Sequence, residues 1–215
     1  LNNLDGRQLA VPRYISYVPG RRNKIWNKNC VAIGLAAGFF EPIESTNIHL
    51  IQTGILRLLT MFPRAGFDEA DIAEANAQAQ TEYERIRDFI ILHYKATQRD
   101  DSPFWNYCRT MDVPDTLREP IELFRRDGRY FRNGEDFFAL PSWVQVMLGQ
   151  RIVPQGYHPI VDEMPSDRLV EYVEGMRTTL AQAVATMPTH QDWIDKYWKA
   201  SAANQYQHPS IPRAT

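Results

Sequence analysis

The sequence is poor in cysteine, has no strong excess of charge of either sign, and lacks a long apolar run. Two cysteines, Cys30 and Cys108, without a CxxC spacing argue against a disulfide framework or a zinc site and favour a reducing cytoplasm. The net charge of −2 does not indicate a nucleic-acid or anionic-membrane partner. No segment approaches membrane-spanning length, and the first residues do not have the pattern of a signal peptide. We therefore expect a cytoplasmic globular protein that binds neither nucleic acid nor a membrane.

Common catalytic and nucleotide-binding motifs are also missing. The sequence contains no GxGxxG, Walker, HExxH or GxSxG motif, and Gly34 and Gly38 alone are too sparse for a phosphate-binding loop. His93 has no second His or Cys at the spacing of metal ligands, so we expect a surface or hydrogen-bonded histidine and no metal site. The chain begins at Leu1 and not at Met, from which we expect a processed, truncated or partial polypeptide.

Apolar residues recur at helical spacing from Ile48 onward, which predicts a mainly α protein. The predicted apolar stripes are Ile48 to Phe62, Ile72 to Ile90, Leu117 to Phe124 and Leu169 to Val184. Asp68 and Ser102 stand where helix N-caps are expected. Residues 1–29 are instead irregular and β-leaning, with a β-branched and aromatic run at Val11–Val18, and residues 30–34 are predicted to form a short buried strand.

Two carboxylates, Glu41 and Glu44, precede hydroxyl residues just before an apolar helical pattern. Free backbone N–H groups and the positive end of the helix dipole collect at such a position, so it suits chemistry on an anion. The same residues also suit an ordinary helix start, in which Pro42 forms the turn, Ser45 or Thr46 caps, and Glu44 favours the dipole. The local pattern leaves both interpretations open, and it does not decide between the two carboxylates.

The segment 130–149 is rich in aromatic residues, and Phe137, Phe138 and Trp143 are its candidates for contact with a ligand. Phenyl and indole rings can line a slot for a flat aromatic substrate. They can equally fill a hydrophobic core, where such side chains are commonly found. The sequence pattern leaves both interpretations open.

Five separate runs of the sequence carry a resemblance to a known family. They are Trp26-Asn-Lys-Asn-Cys-Val-Ala-Ile-Gly34, Phe40-Glu-Pro-Ile-Glu-Ser-Thr46, Asp101-Ser-Pro-Phe-Trp105, Trp143-Val-Gln-Val-Met-Leu-Gly149 and Tyr157-His-Pro159. Together they resemble the C-terminal half of the flavin-dependent tryptophan halogenases, and the last two are similar to a less characterised branch of that family. The resemblance covers nearly the whole chain, up to about residue 198.

The resemblance implies a fold and a domain organisation. These enzymes are single-chain flavoproteins built on the plan of the aromatic hydroxylases, an FAD-dependent α/β fold. We therefore expect residues 1–47 to be the C-terminal remnant of the flavin-binding domain, residues 48–200 to be a helical substrate-side domain, and residues 201–215 to be a frayed tail. The expected fold class is mainly α with a short β-leaning N-terminal segment.

The resemblance also implies a reaction. Reduced FAD, supplied by a separate flavin reductase, and oxygen convert a bound chloride or bromide into hypohalous acid, which passes through a tunnel to a lysine and halogenates a small indolic substrate. The matching positions are catalytic Glu44 and Ser45, halide-binding Thr46 and Asn47, cofactor-binding Gly34, Gly38 and Pro42, and substrate-binding Phe137, Phe138 and Trp143. The family usually has glycine where Asn47 stands, and asparagine tolerates left-handed backbone geometry better than most residues. A carboxylate at Glu44 would stabilise the cationic ring and could accept its proton.

Some family features have no counterpart in this sequence. They are the dinucleotide-binding GxGxxG, the catalytic lysine of the N-terminal half and the GWxWxIP motif. We therefore expect that this chain alone does not halogenate, because the transition state would lack essential groups. Two other interpretations stay open, namely a fragment of a related flavin monooxygenase that hydroxylates and a non-catalytic helical binding domain. The sequence also leaves a homodimer open.

Overall fold

The computed structural model of the protein describes residues 8–64, 66–132 and 136–197, and most of these residues are helical. The expected mainly α fold class is therefore confirmed. The predicted tail 201–215 lies outside the described residues. Contacts divide the chain into two units, Leu1–His158 and Pro159–Thr215. The boundary expected after residue 47 stays a prediction about the whole protein.

Among the described residues of the first unit, β structure is confined to two short antiparallel pairs. Strand β1 (Gly20–Arg21) pairs with β4 (Gly38–Phe39), and β2 (Trp26–Asn27) pairs with β3 (Cys30–Val31). The β-leaning run at residues 11–18 does not form a strand, because it is exposed and has no neighbouring strand to pair with among the described residues. The predicted buried strand at residues 30–34 is shorter than expected, and Cys30 is exposed.

The helices of the first unit follow in chain order. They are α1 (Asn47–Thr60), α2 (Glu69–Lys95), α3 (Pro103–Thr110), α4 (Asp115–Asp127) and α5 (Leu140–Gly149). The predicted caps are confirmed, because the Asp68 side chain accepts a hydrogen bond from the Ala70 N–H and Ser102 accepts one from the Trp105 N–H. Helix α4 ends at Gly128, which adopts a left-handed conformation with φ of 67°.

Helix α2 is the centre of this unit because it presents two apolar faces to two separate clusters. Its predicted stripe is confirmed at Ala75, Ala79, Tyr83, Ile86 and Ile90, all of which are buried. Most of that stripe packs in a first cluster with Ile25, Ala37, Phe40 and Leu50. Phe89 and Leu92 lie on another face of the helix and pack in a second cluster with Val113, Leu117, Ile121, Phe124, Trp143 and Met147. A helix that is apolar on two faces is expected to be enclosed on both.

The stripe on α1 has the predicted spacing but a different environment. Leu50 and Gly54 are the buried residues of this helix, whereas Ile48, Ile55 and Leu59 are exposed. Spacing identifies which residues share one side of a helix, but it does not determine whether another element covers that side. The predicted stripe therefore gave the correct helix and the wrong core residues.

Gly38 occupies a position where a side chain would collide with the core. A Cβ atom there would lie 2.6 Å from Cε1 of Tyr83 and 2.8 Å from the Gly20 carbonyl oxygen. We expect Gly38→Ala to lower the free energy of unfolding by about 1–3 kcal/mol, as overpacking of a close-packed interior does. Gly20→Ala is the matched control on the paired strand, since a Cβ at Gly20 would meet nothing within 4 Å. Equal urea midpoints for the two variants would contradict the close packing at Gly38.

The second unit contains a short 3-10 turn (Pro159–Glu163), α6 (Ser166–Thr186) and α7 (His190–Tyr197). The predicted stripe on α6 has helical spacing, but Tyr172, Met176 and Leu180 are exposed in this unit. On α7, Trp193 packs against Tyr197 with ring centroids 4.5 Å apart. None of the helices that the structure describes combines the length and the apolarity that crossing a membrane requires.

Candidate active-site turn and its surroundings

The two carboxylates flank a tight 3-10 turn (Pro42–Glu44) between β4 and α1, in which Glu44 is the last residue. Glu41 precedes the turn, and its Oε1 accepts a hydrogen bond from the Ile43 N–H at 3.0 Å. Ser45 closes the turn with a left-handed φ of 52°, and its N–H donates to the Pro42 carbonyl oxygen at 3.0 Å. The left-handed geometry considered for Asn47 is therefore at Ser45. Asn47 is already the first residue of α1, because the chain changes direction two residues earlier.

The structure separates the two carboxylates, which the sequence pattern did not. One oxygen of Glu41 caps the turn, and the other, Oε2, is buried. The Glu41 carboxylate also neighbours the Tyr94 phenol. Burial, and after it the neighbouring Glu41 carboxylate, raise the pKa of Tyr94 to about 12. The Glu44 side chain is 29% exposed, and its Oε1 lies 2.8 Å from Nε2 of His93. Glu41 is thus engaged in local structure, whereas Glu44 keeps free surface.

His93 is the residue of this site that the sequence analysis missed as a functional candidate. It lies in the last turn of α2, and its Nδ1 is 2.8 Å from the Phe89 carbonyl oxygen. The prediction of a hydrogen-bonded histidine is confirmed, but its partner Glu44 was not foreseen. The two residues are far apart in sequence. Helical spacing predicts the face of α2 on which His93 lies, but it does not predict which residue contacts that face.

A chain of ring contacts connects His93 to the aromatic segment predicted to bind substrate. The His93 ring meets the Phe89 ring edge-on at 4.9 Å, and Phe89 stacks on Phe138 at 3.8 Å. Phe138 contacts Phe137 at 4.7 Å, and Phe137 in turn stacks on His49 at 3.7 Å. The predicted catalytic residue Glu44 is therefore connected through His93 and Phe89 to Phe138, and through Phe138 to Phe137.

Trp143 has a different position from the other two predicted substrate residues. Its ring packs against Phe89 at 4.8 Å and Tyr130 at 4.9 Å inside the second cluster, and the residue is only 2% exposed. Trp143 is therefore part of the hydrophobic core in this structure. Its contact with a substrate stays a prediction.

Two openings lie beside these residues. A groove of about 660 Å³ runs between α1 and α2, and its lining includes Phe137, His49 and Glu82. Glu82 accepts from Arg57 at 2.9 Å and lies 3.1 Å from Nε2 of His49, so charged side chains fix this wall. A second cleft of about 520 Å³ is lined by Ile43, His93, Tyr94, Arg99, Trp105 and Arg151 among others. Both openings therefore combine aromatic and charged groups, as small-molecule sites commonly do.

The sequence profile of the tryptophan halogenase family matches residues 1–166. The chain belongs to this family. It is 38% identical over 178 residues to a 7-chloro-L-tryptophan 6-halogenase from Kutzneria sp. (strain 744), covering 81% of this chain and 34% of that protein. The resemblance identified in the sequence is thereby confirmed.

Solved structures of flavin-dependent halogenases share the fold of this family member. One from Xanthomonas campestris is 52% identical with a TM-score of 0.88, covering 91% of this chain and 40% of that one. Another from Brevundimonas sp. BAL3 is 44% identical with a TM-score of 0.83, covering 87% and 38% of the two chains. This halogenase-family chain thus spans less than half the length of these relatives.

The glycines predicted to contact the cofactor of this halogenase-family chain are enclosed by the chain itself. A Cβ at Gly34, whose φ is 60°, would lie 2.7 Å from Cγ1 of Ile51, and the corresponding space at Gly38 is occupied by Tyr83. The space that each glycine leaves is therefore filled by a side chain and does not form a cradle for a flavin. Pro42 is exposed at the first position of the turn. Its contact with a cofactor stays a prediction.

The sequence does not predict a metal centre in this halogenase-family chain. Within residues 8–64, 66–132 and 136–197, no group of three or more His, Cys, Asp or Glu side chains is close enough to hold an ion. Glu44 and His93 form a pair, and a metal site needs three or four convergent ligands. This pair alone therefore does not make a metal site.

Proposed function

We propose that this chain is the substrate-side part of a halogenase that uses reduced FAD to chlorinate or brominate an indole- or tryptophan-like aromatic through hypohalous acid. The observation that carries the proposal is the Glu44 carboxylate, which keeps free surface on the turn before α1. Through His93 and Phe89 it is linked to Phe138 in the predicted substrate segment. The activities for which the relatives are named support an indolic substrate, since several of them act on tryptophan.

The reaction assigned to Glu44 is electrophilic aromatic substitution. A pair of π electrons of the ring attacks the halogen atom of HOX, the carbon–halogen bond forms, and the O–X bond breaks. The resulting ring cation is stabilised by the negative charge of Glu44, and its surplus ring proton passes to a Glu44 oxygen while the C–H electrons return to the ring. The balance is one aromatic and one HOX giving one halogenated aromatic and one water.

The halide is assigned to the first turn of α1, at Thr46 and Asn47. The Thr46 carbonyl oxygen accepts from the Leu50 N–H, so the amides ahead of Leu50 have no acceptor within the helix. These amides and the positive end of the helix dipole suit a monovalent anion. No acidic residue lies in the first turn of α1 to oppose it. Ser45, exposed between this turn and Glu44, is assigned to the link between the halide and substrate regions.

The flavin is assigned mainly to residues outside this chain, because Gly34 and Gly38 are enclosed by side chains of their own. Pro42 and the exposed Leu35 are the surface that this chain contributes. When bound, reduced FAD supplies the electrons with which oxygen converts halide to hypohalous acid, and a separate flavin reductase renews it. The unpaired Cys30 and Cys108 fit the reducing cytoplasm, where we place the protein.

The test is turnover by the polypeptide encoded by the whole reading frame that contains this chain. It would be assayed with a flavin reductase, FAD, oxygen, chloride or bromide, and tryptophan and indole as probes. We expect a product whose mass and isotope pattern show one added halogen and whose formation requires halide. A hydroxylated product that forms without halide would support the flavin monooxygenase instead. Binding of aromatics without any turnover would support the non-catalytic binding domain.

A further inference from the structure

The surroundings of His93 fix the number of protons that its ring must carry. Its Nδ1 faces the Phe89 carbonyl oxygen at 2.8 Å, and a carbonyl oxygen can only accept, so Nδ1 carries a hydrogen. Its Nε2 faces Oε1 of Glu44 at 2.8 Å, and an ionised carboxylate also only accepts. The Nε2–Oε1 hydrogen bond therefore exists only when one further proton lies between the two groups. The pair is either imidazolium and carboxylate or neutral imidazole and carboxylic acid.

We propose that His93 is the positioning residue of Glu44, and this inference rests on the function proposed above. By holding Oε1, His93 leaves Oε2 as the oxygen that faces the ring cation and receives its proton. The imidazolium–carboxylate form of the pair is the competent one, because it leaves the negative charge on Glu44. Without the shared proton two acceptors would face each other, and the carboxylate would not be held.

The structure explains why the histidine, and not the turn, fixes the carboxylate. His93 is on a 27-residue helix that is buried on two faces, and its ring is anchored by a backbone hydrogen bond and the edge-on contact with Phe89. Its side chain is only 15% exposed. Glu44, in contrast, is the last residue of a three-residue 3-10 turn, which restrains a side chain weakly.

Other titratable and charged groups around the pair do not supply the same proton. Tyr94 follows on the same helix and faces Glu41, and with a pKa of about 12 it stays neutral over the working range of pH. Arg99 and Arg151 line the same cleft as His93. The contact described for the Glu44 carboxylate is with His93, so its positioning is assigned to His93.

The experiment compares two variants of His93 in the polypeptide from the whole reading frame. His93→Leu removes the donor, and we expect kcat to fall about 10- to 100-fold with little change in KM, as misplacement of a catalytic group does. His93→Gln places an amide nitrogen near the position of Nε2. We expect it to recover kcat to within about threefold of the unsubstituted protein, because the amide N–H can donate to Oε1 of Glu44. His190→Gln, at an exposed histidine on α7, is the control.

Two outcomes would overturn the inference. One is a folded His93→Leu variant with kcat within twofold of the unsubstituted protein, and the other is a His93→Gln variant with kcat as low as that of His93→Leu. If His93→Leu does not fold, the histidine NMR signals described next decide. NMR of ¹⁵N-labelled histidine gives a readout independent of turnover, in which we expect both His93 nitrogens to be protonated and the Nε2 signal to move in Glu44→Gln. Protonation of both His93 nitrogens without any halogenated product would refute the proposed function. Halogenated product from a protein in which His93 Nε2 is not protonated would refute only the role of His93.

Discussion

Replacing Glu44 with Gln is expected to lower kcat for halogenated product about 100- to 1,000-fold while leaving the protein folded. The amide has nearly the same shape as the carboxylate, but it carries no charge to stabilise the ring cation, and it is a poor proton acceptor. Losses of this size follow removal of one preorganised electrostatic group from an active site. His93 Nε2 can still donate to the amide oxygen, because a Glu44→Gln side chain retains an acceptor at the position of Oε1.

The measurement is single-turnover formation of halogenated indole or tryptophan, together with the urea midpoint of each variant. Glu41→Gln is the matched control, since its amide oxygen still accepts from the Ile43 N–H and it removes the same charge three residues away. We expect Glu41→Gln to keep kcat within about threefold, as for a substitution that leaves the hydrogen bond in place. Unchanged turnover in Glu44→Gln would exclude a catalytic role for this carboxylate. An equal loss of turnover in both variants would show that the negative charge near the turn matters, whichever of the two residues carries it.

Phe89→Ala is expected to lower the free energy of unfolding by about 3–5 kcal/mol, a larger loss than that expected for Gly38→Ala. Phe89 is 2% exposed, and its ring contacts Phe138, Trp143 and His93. Truncation to alanine leaves a cavity in the second cluster that the surrounding rings cannot fill without moving. Because Phe89 also supports the ring of His93, the substitution should reduce turnover in protein that remains folded.

Urea denaturation followed by tryptophan fluorescence would measure this effect, since Trp143 lies against Phe89 at 4.8 Å. Phe104→Ala is the matched control, because this phenylalanine is also on a helix but is exposed, and we expect it to change stability by less than about 1 kcal/mol. Phe89→Leu should fall between the two, as it keeps part of the buried volume. A difference of less than about 1 kcal/mol between Phe89→Ala and Phe104→Ala would contradict the packing described for the second cluster.

Features that depend on neighbouring residues along the chain were predictable from the sequence. Helix α2 was identified from its spacing and its Asp68 cap, and α4 was identified from its apolar stripe, Leu117 to Phe124. In each case the residues that determine the element lie within it or immediately beside it. The halogenase family was identified in the same way, from short runs such as the one that contains Glu44, and the family match confirms it.

Features that depend on distant partners were not predictable from the same patterns. The contact between Glu44 and His93 joins a turn to the end of a long helix, and no local pattern in either segment indicates the other. The apolar residues of α1 repeat correctly but are mostly exposed in this structure. Asn76 of α2 holds the Trp26 backbone through two hydrogen bonds of 3.0 and 2.9 Å, which ties the β-leaning segment to the helices in one unit. The boundary that the resemblance implied after residue 47 stays a prediction about the whole protein.

His93 and Tyr94 are consecutive residues of helix α2, so their spacing from the first cluster determines whether they meet the two carboxylates of the turn. These consecutive residues meet Glu44 and Glu41 respectively, while residues earlier on the same helix are fixed in the first cluster. Insertion of one residue between them and that cluster would rotate both side chains by about 100° about the helix axis and shift them about 1.5 Å along it. Both carboxylates would lose their partners in a single step. The number of residues from Ala79 to His93 is thus as much a part of the site as the side chains themselves, whereas the loop between α1 and α2 can change length without altering it.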